Sequence, residues 1–175
     1  TQRITINDIG DFTGYGTGDI TCIDIHPSGA YFAVSIPASD KDEHGRVAFF
    51  DIDGTYIGYV TAGYLPDNLE FTPDGNVLLV ANEGEPVDDY TVDPIGSISY
   101  IDVSDGADAV TQDDVTDIGF DGADYDSGVI IKDGSTSEYD FEPEYIAIDS
   151  DSSYAYISLQ ENNAIAKLDI QDKSF

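Results

Sequence analysis

Apolar residues in this chain recur at every second position, in short runs separated by polar turns. Three stretches superimpose without a gap: residues 22–34 (CIDIHPSGAYFAV), 68–80 (NLEFTPDGNVLLV) and 145–157 (YIAIDSDSSYAYI). Each alternates, breaks at a turn and alternates again. The pairs Ile25/Val34, Phe71/Val80 and Ile148/Ile157 keep one separation. A period of two is the signature of a strand with one face buried, so each stretch is predicted to be a β-hairpin of a single design. A third strand follows each hairpin and ends in an apolar–Asp–apolar signature, at Asp51, Asp102 and Asp169. A fourth, more variable strand follows twice, at YIGYVTAG and around VTDIGF. Asp-Gly pairs such as Asp53-Gly54, Asp74-Gly75 and Asp105-Gly106 punctuate the runs, and such pairs readily take the positive φ of tight turns. Helical periodicity is almost absent.

Four antiparallel strands repeated roughly every 40–80 residues are the mark of β-propeller blades. The expected fold is therefore all-β: propeller blades of four-stranded antiparallel sheet, this chain being about three blades of a larger ring. Residues 18–63 and 64–119 read as blades and 141–175 as an incomplete one. Residues 120–140 read as a polar insertion and 1–12 as the outer strand of a preceding blade, all in one propeller domain. A β-sandwich gives no reason for three matching hairpins, and a β-solenoid has shorter repeats. A ring needs at least about four blades. The remaining blades, in the same protein or in a second chain that completes the ring, are thus expected partners. The sequence opens without Met and inside a strand-like alternation, which reads as an excised piece of something longer.

Charge changes the picture of partners. The chain carries 36 acidic and 6 basic residues, a net charge of −30. Such a surface repels nucleic acid and anionic membranes, and no run is long enough to span a membrane. It attracts cations, basic partners or the counter-ions of a salty medium. Acidic residues are spread along the whole chain, as in a halophilic, solvated surface, rather than gathered in an arm. Cys22 is the one cysteine and cannot form an internal disulfide.

Candidate chemistry is carboxylate chemistry. LPDNLEF and EPEYIAI align so that Asp67 and Glu144 hold equivalent places, each after a Pro at the start of an inner strand. Glu83 and Glu161 lie near the ends of the next strands, and Glu85, Asp88 and Asp89 follow in an insertion. Asp67, Glu83, Glu85, Glu144 and Glu161 are expected to meet at one mouth of the channel, as hard oxygen ligands for calcium or magnesium; the alternative is that they bond backbone N–H groups in tight loops or lie in water. Residues 40–51 echo an EF-hand loop at Asp40, Asp42, Gly45 and Asp51. However, His44 stands where an oxygen donor belongs, and no helices flank the stretch. No catalytic residue is assigned: His26 reads as a turn residue, and neither it nor His44 has a nearby Ser or Cys arrangement that suggests an activated nucleophile. Asp51, Asp102 and Asp169 read as turn caps.

The strings ANEGEP, EPEYIA and LQENNA, with GRVAFFDIDGTYIGYVTAGYLPD, resemble the choice-of-anchor I family of bacterial and archaeal surface propellers, from about Gly18 to Ile170. Some members of that family are labelled alkaline-phosphatase-like or mesenchyme-specific cell-surface glycoprotein. The resemblance implies an extracellular or cell-surface propeller of about seven blades, either secreted or wall-anchored. The expected function is that of a structural or interaction module, an assembly subunit with protein or glycan surface partners and bound cations, rather than an enzyme. A metal-dependent phosphoesterase and a calcium-dependent adhesin remain the alternatives. The segment between the two blocks is shorter than the family pattern, which puts in doubt any function housed there.

Overall fold

The structure, a computed structural model, describes residues 3–6, 9–88 and 90–175. Its strands form three antiparallel sheets in strict sequence order. The first contains β1 (Cys22–Ile25), β2 (Tyr31–Ile36), β3 (His44–Asp51) and β4 (Tyr56–Tyr64). The second contains β5 (Pro66–Phe71), β6 (Val77–Asn82), β7 (Ser97–Asp102) and β8 (Val115–Gly119). The third contains β9 (Pro143–Ile148), β10 (Tyr154–Leu159) and β11 (Ala164–Asp169). A four-residue helix, α1 (Ser137–Asp140), lies in the insertion before β9. Each sheet is an up-and-down meander, and each packs face to face on the next: these are blades of a β-propeller.

The three hairpins share one register. Ile25 pairs with Phe32, Phe71 with Leu78 and Ile148 with Ala155. Their turns close with the same bonds. Gly29, Gly75 and Ser152 each donate an N–H to the residue three before, and His26, Thr72 and Asp149 each donate to the residue five after. The first two turns have Pro at the second position and Gly at the fourth, the chemistry of a type I turn. The fourth position takes positive φ, +69° at Gly29, +76° at Gly75 and +57° at Ser152, so the third hairpin holds a side chain where the others have none.

Burial follows the period of two. Between the first and second blades, Ala33, Val47, Phe49 and Val60 meet Leu69, Leu78, Val80 and Ile101. Between the second and third, Leu79, Ala81 and Ile98 meet Ile146, Ala155, Ile157 and Leu168. Every residue of β6 is buried because its blade is covered on both faces. In the third blade Ile165 is 74% exposed and Tyr145 66%, since its far face has no neighbour here.

The N-terminal segment departs from expectation. Among its described residues, residues 3–6 and 9–12 form no strand; Gly10–Phe12 is a 3-10 turn. Ile6 and Phe12 instead cover the outer face of the first blade with Val34, Ile36, Ala48 and Phe50. Arg46 stacks on Phe12, Tyr15 and Tyr59, with its guanidinium carbon 3.8 Å from the centre of the Tyr15 ring. The alternation of this segment is therefore met by packing against a sheet rather than by joining one.

Candidate functional site

Asp67 and Glu144 hold matching places for a structural reason. The register of β5 on β6 slips between Pro66 and Asn68, and that of β9 on β10 slips so that Pro143 and Tyr145 pair while Glu144 does not. Both carboxylates are thus the extra residue of a β-bulge, a device that re-aims a side chain at a sheet's end. Burial raises the pKa of Asp67 above its usual value. Burial raises that of Glu144 as well, helped by Asp67 and Glu161.

Beside them the second and third blades enclose a basin of about 470 Å³. Its wall is assembled from three segments: the long loop after β6, the insertion before β9, and the turn between β10 and β11. The first supplies Glu83 and Glu85, the second Lys132 and Asp140 with Glu142 just before β9, and the third Glu161 and Asn162. The carboxyl of Glu83 is pushed up to about 7, by burial first and then by Glu85, Asp67, Glu142 and Glu144. Glu142 is pushed up to about 7 by burial, then by Glu161, Glu85, Asp140 and Asp93. Each of these groups is easier to keep protonated than an isolated glutamate, because ionising it adds a charge to a half-buried cluster of like charge.

All five expected carboxylates therefore share one end of the molecule, though not one point. Glu83, Glu85 and Glu161 line the basin, while Asp67 and Glu144 lie outside its wall but within its field. Glu85 is engaged from the first blade: Lys41 Nζ donates to its Oε2 at 2.8 Å and lies 3.6 Å from Asp88. Asp89 falls outside the described residues. Among the described residues, no three His, Cys, Asp or Glu side chains stand as a ready-made metal-holding group.

Sequence reasoning did not select Glu142 or Asn162, which also line the basin. Glu142 opens the EPE string just before β9, and the local crowding of acids there was the available signal. Asn162 gave none. It is 1% exposed, its Nδ2 donates to Ile130 O, Asp140 O and Asp140 Oδ2, and its Oδ1 meets no donor.

The other candidates take structural roles. Asp51 accepts the N–H of Thr55, Asp102 that of Ser104, and Asp169 those of Gln171 and Asp172, all as turn caps. Residues 44–51 of the EF-hand echo form strand β3, so that stretch does not wrap an ion. His26 sits in its turn as expected and also reaches the next blade. Its Nε2 donates to Gly75 O at 2.8 Å, which leaves Nδ1 to accept from Ser28 Oγ. His44 Nδ1 donates to Ala62 O across its own sheet, and its ring stacks on Tyr64. A slightly larger cavity, about 510 Å³, lies against β11 beneath Phe120, Phe141 and Phe175, and gathers none of the candidate carboxylates.

No helix among the described residues is long and apolar enough to cross a membrane. Comparison with known proteins gives a family and a fold. The family model described as Choice-of-anchor I domain matches residues 2–175. No curated protein matches. Among solved structures, hydrazine synthase of Kuenenia stuttgartiensis aligns over 85% of this chain and 39% of its own, with 18% identity and a TM-score of 0.58. A eukaryotic initiation factor aligns over 97% and 32%, with 13% identity and a TM-score of 0.55. Prolyl oligopeptidase B of Galerina marginata aligns over 94% and 22%, with 12% identity and a TM-score of 0.54. The chain spans well under half the length of each, and at such identities the likeness speaks to the fold alone. The labels alkaline-phosphatase-like and mesenchyme-specific cell-surface glycoprotein find no support in the family match.

Proposed function

This chain belongs to the choice-of-anchor I domain family, and on that premise we propose that it forms part of a surface-associated β-propeller that acts by binding. Its binding face is the acidic rim shared by the second and third blades. The remaining blades, from the same protein or a second chain, complete the ring. One observation carries the reading: Glu83, Glu85, Asp93, Asp140, Glu142 and Glu161 line a single basin, where burial and neighbouring carboxylates push the carboxyls of Glu83 and Glu142 up to about 7. Gathering like charges on a half-buried rim costs stability, and a cationic ligand offsets that cost. Two lysines offset part of it: Lys41 engages Glu85 and Asp88 at the outer edge, and Lys132 lines the wall over the ring of Tyr90.

The test uses the full-length protein at fixed ionic strength. Calcium and a short oligolysine are each titrated while the thermal midpoint is followed, in the parent and in a Glu83→Gln/Glu142→Gln variant. Cationic ligands are expected to raise the midpoint of the parent more than that of the variant. Equal responses would remove the rim as the binding face. Turnover of p-nitrophenyl phosphate that disappears on chelation would overturn the binding reading in favour of a metal-dependent phosphoesterase.

A further inference from the structure

One edge of the third blade is unpaired. In the first blade β4 closes the outer edge of β3, and in the second β8 closes that of β7. β11 has β10 on one side and, among the described residues, no strand on the other. The backbone bonds identify the groups left over. Ile170 donates its N–H to Ser153 O on the β10 side. Asp169 instead exchanges bonds with Ser174 on the outer side, its N–H to Ser174 O at 2.8 Å and the N–H of Ser174 to its O at 3.4 Å. Backbone groups of successive residues face opposite neighbours in an antiparallel sheet. The N–H and C=O of Ile165 and Lys167 therefore face outward with those of Asp169, while Ala164, Ala166 and Leu168 bond to β10. Such a row of bare donors and acceptors is a template for another strand. A groove of about 510 Å³ runs along this edge, with residues 164–167 on one side and Ala123, Tyr125, Val129 and Phe141 on the other.

We propose that this groove seats the blade's own fourth strand, the stretch that continues the chain past Phe175 in the full-length protein, antiparallel to β11. The chain has already turned towards the seat. The bridge between Asp169 and Ser174 closes the turn after β11, as the bond from Asp51 N–H to Thr55 O closes the turn that opens β4. Phe175 then stacks on Phe120 in the groove wall, with 4.4 Å between ring centres. A strand tethered by a closed turn meets the edge at a high effective concentration, which a separate chain lacks. The register follows from the bridge. With Ser174 opposite Asp169, Phe175 stands opposite Leu168. The first and third residues after Phe175 then face Lys167 and Ile165 as the hydrogen-bonded pairs. The second and fourth face Ala166 and Ala164, on the side packed with Phe120 and Phe141, and are expected to be apolar. So is the third, because Ile165 holds the place that Ile98 holds in the second blade, and Ile98 pairs with the buried Ile118. Groove and acidic basin lie back to back: Phe141 lines the groove, while Asp140 and Glu142 on either side of it line the basin. The seated strand thus backs the basin wall, a consequence independent of what the basin binds.

Amide hydrogen exchange in the full-length protein, read residue by residue by NMR, tests the seat. The amides of Ile165 and Lys167 are expected to exchange about a hundredfold or more slowly than in an unstructured chain. Prolines at the first and third residues after Phe175 remove the N–H groups that would meet the carbonyls of Lys167 and Ile165, and so unseat the strand. In that variant exchange at Ile165 and Lys167 is expected to rise about tenfold or more, with Ala166 and Leu168, bonded to β10, unchanged. If exchange rises at every β11 amide the blade has unfolded, and a disulfide decides. Ala166→Cys and a cysteine at the second residue after Phe175 form a non-hydrogen-bonded pair, with Cα atoms about 4.5 Å apart, and are expected to close. Ile165→Cys with the same second cysteine is one residue out of register and is expected to stay open. Fast exchange at Ile165 and Lys167 in the parent overturns the proposal, as does a disulfide that forms in both pairs or in neither. Protection that survives the prolines in a folded blade overturns it too, and its loss on dilution would assign the edge to a second copy of the chain.

Discussion

The side-chain amide of Asn68 accepts the backbone N–H of Ile146 at 2.9 Å through Oδ1 and donates to Cys22 Sγ at 3.3 Å through Nδ2. One buried residue on the inner strand of the second blade therefore holds the inner strands of both neighbours. Asp24 does related work, its Oδ2 accepting the N–H of Phe71 at 2.9 Å from one blade to the next. Inner strands of adjacent blades have no ladder between them, so these side chains satisfy backbone groups that a sheet would otherwise pair.

Replacing that amide tests the clamp. Asn68→Ala leaves the buried N–H of Ile146 without an acceptor, which costs about 1–3 kcal/mol. Urea denaturation of the full-length protein is expected to show the midpoint falling with little change in slope. An unchanged midpoint would mean that water replaces the amide and that the clamp contributes nothing.

The hairpin turns permit a sharper comparison. Gly29 and Gly75 occupy equivalent places at φ +69° and +76°. A Cβ on Gly29 meets nothing within 4 Å, whereas on Gly75 it would lie 2.6 Å from His26 Nε2. Gly29→Ala should therefore cost only the left-handed strain, about 1–2 kcal/mol. Gly75→Ala should cost more, because it also displaces the imidazole whose Nε2 donates to Gly75 O. Equal losses in the two variants would show that the contact between the two turns has no energetic weight.

These turns also show what was legible in the sequence. The hairpins, their register and the caps at Asp51, Asp102 and Asp169 depend on neighbours within a few residues, so period and turn chemistry are enough to read them. The N-terminal alternation was equally visible but ambiguous. Ile6 and Phe12 can alternate on a strand or dip into a sheet face, and only the aromatic surroundings of Arg46 decide between these. The basin was half legible. Repeat alignment selected Asp67 and Glu144, and the crowd of acids after β6 selected Glu83 and Glu85. Glu142 and Asn162 acquire their roles from the way residues 120–140 fold back, with Asp140 and Ile130 held by the Asn162 amide. No local pattern encodes that contact.

The crowding of the rim sets a pH dependence in the metal-free protein. Glu83 and Glu142 have folded-state pKa values of about 7 against an ordinary 4.5. The folded state thus binds protons more readily than the unfolded one. Their contribution to stability is fully present below about 4.5, the unfolded value, and is lost as pH rises through about 7. With chelator present, the denaturation midpoint is expected to fall between pH 5 and 7.5, and Glu83→Gln/Glu142→Gln should flatten that fall. Other acids titrate lower and pull the opposite way below pH 5: Asp51 and Asp102 are held below the usual range by the hydrogen bonds to Thr55 and Ser104. The window above pH 5 therefore reports the carboxyls that burial raises: Glu83 and Glu142, with Asp67, Glu70 and Glu144 acting in the same direction, and the difference between parent and variant isolates the two glutamates. A parent and a variant with superimposable profiles there would show the rim carboxyls to be solvated and ordinary.

Salt acts on the same charges by a different route. A net charge of −30 with 6 basic residues leaves most acids unpaired, and the ion pairs of Lys41 with Glu85 and Asp88 are partly exposed. Exposed pairs of this kind contribute about 0–1 kcal/mol and weaken as salt rises. Repulsion among the remaining carboxylates is the larger effect. The Debye length shrinks from about 30 Å at 0.01 M to about 3 Å at 1 M, so repulsion reaching across blades is screened while contacts within one turn are not. The melting temperature of chelator-treated full-length protein is therefore expected to rise steadily over that range. Potassium chloride and sodium chloride should act alike if screening is the cause. A flat profile in the chelated protein would mean that the acids are far enough apart, or solvated enough, not to oppose the fold, and that repulsion is confined to Glu83 and Glu142 themselves.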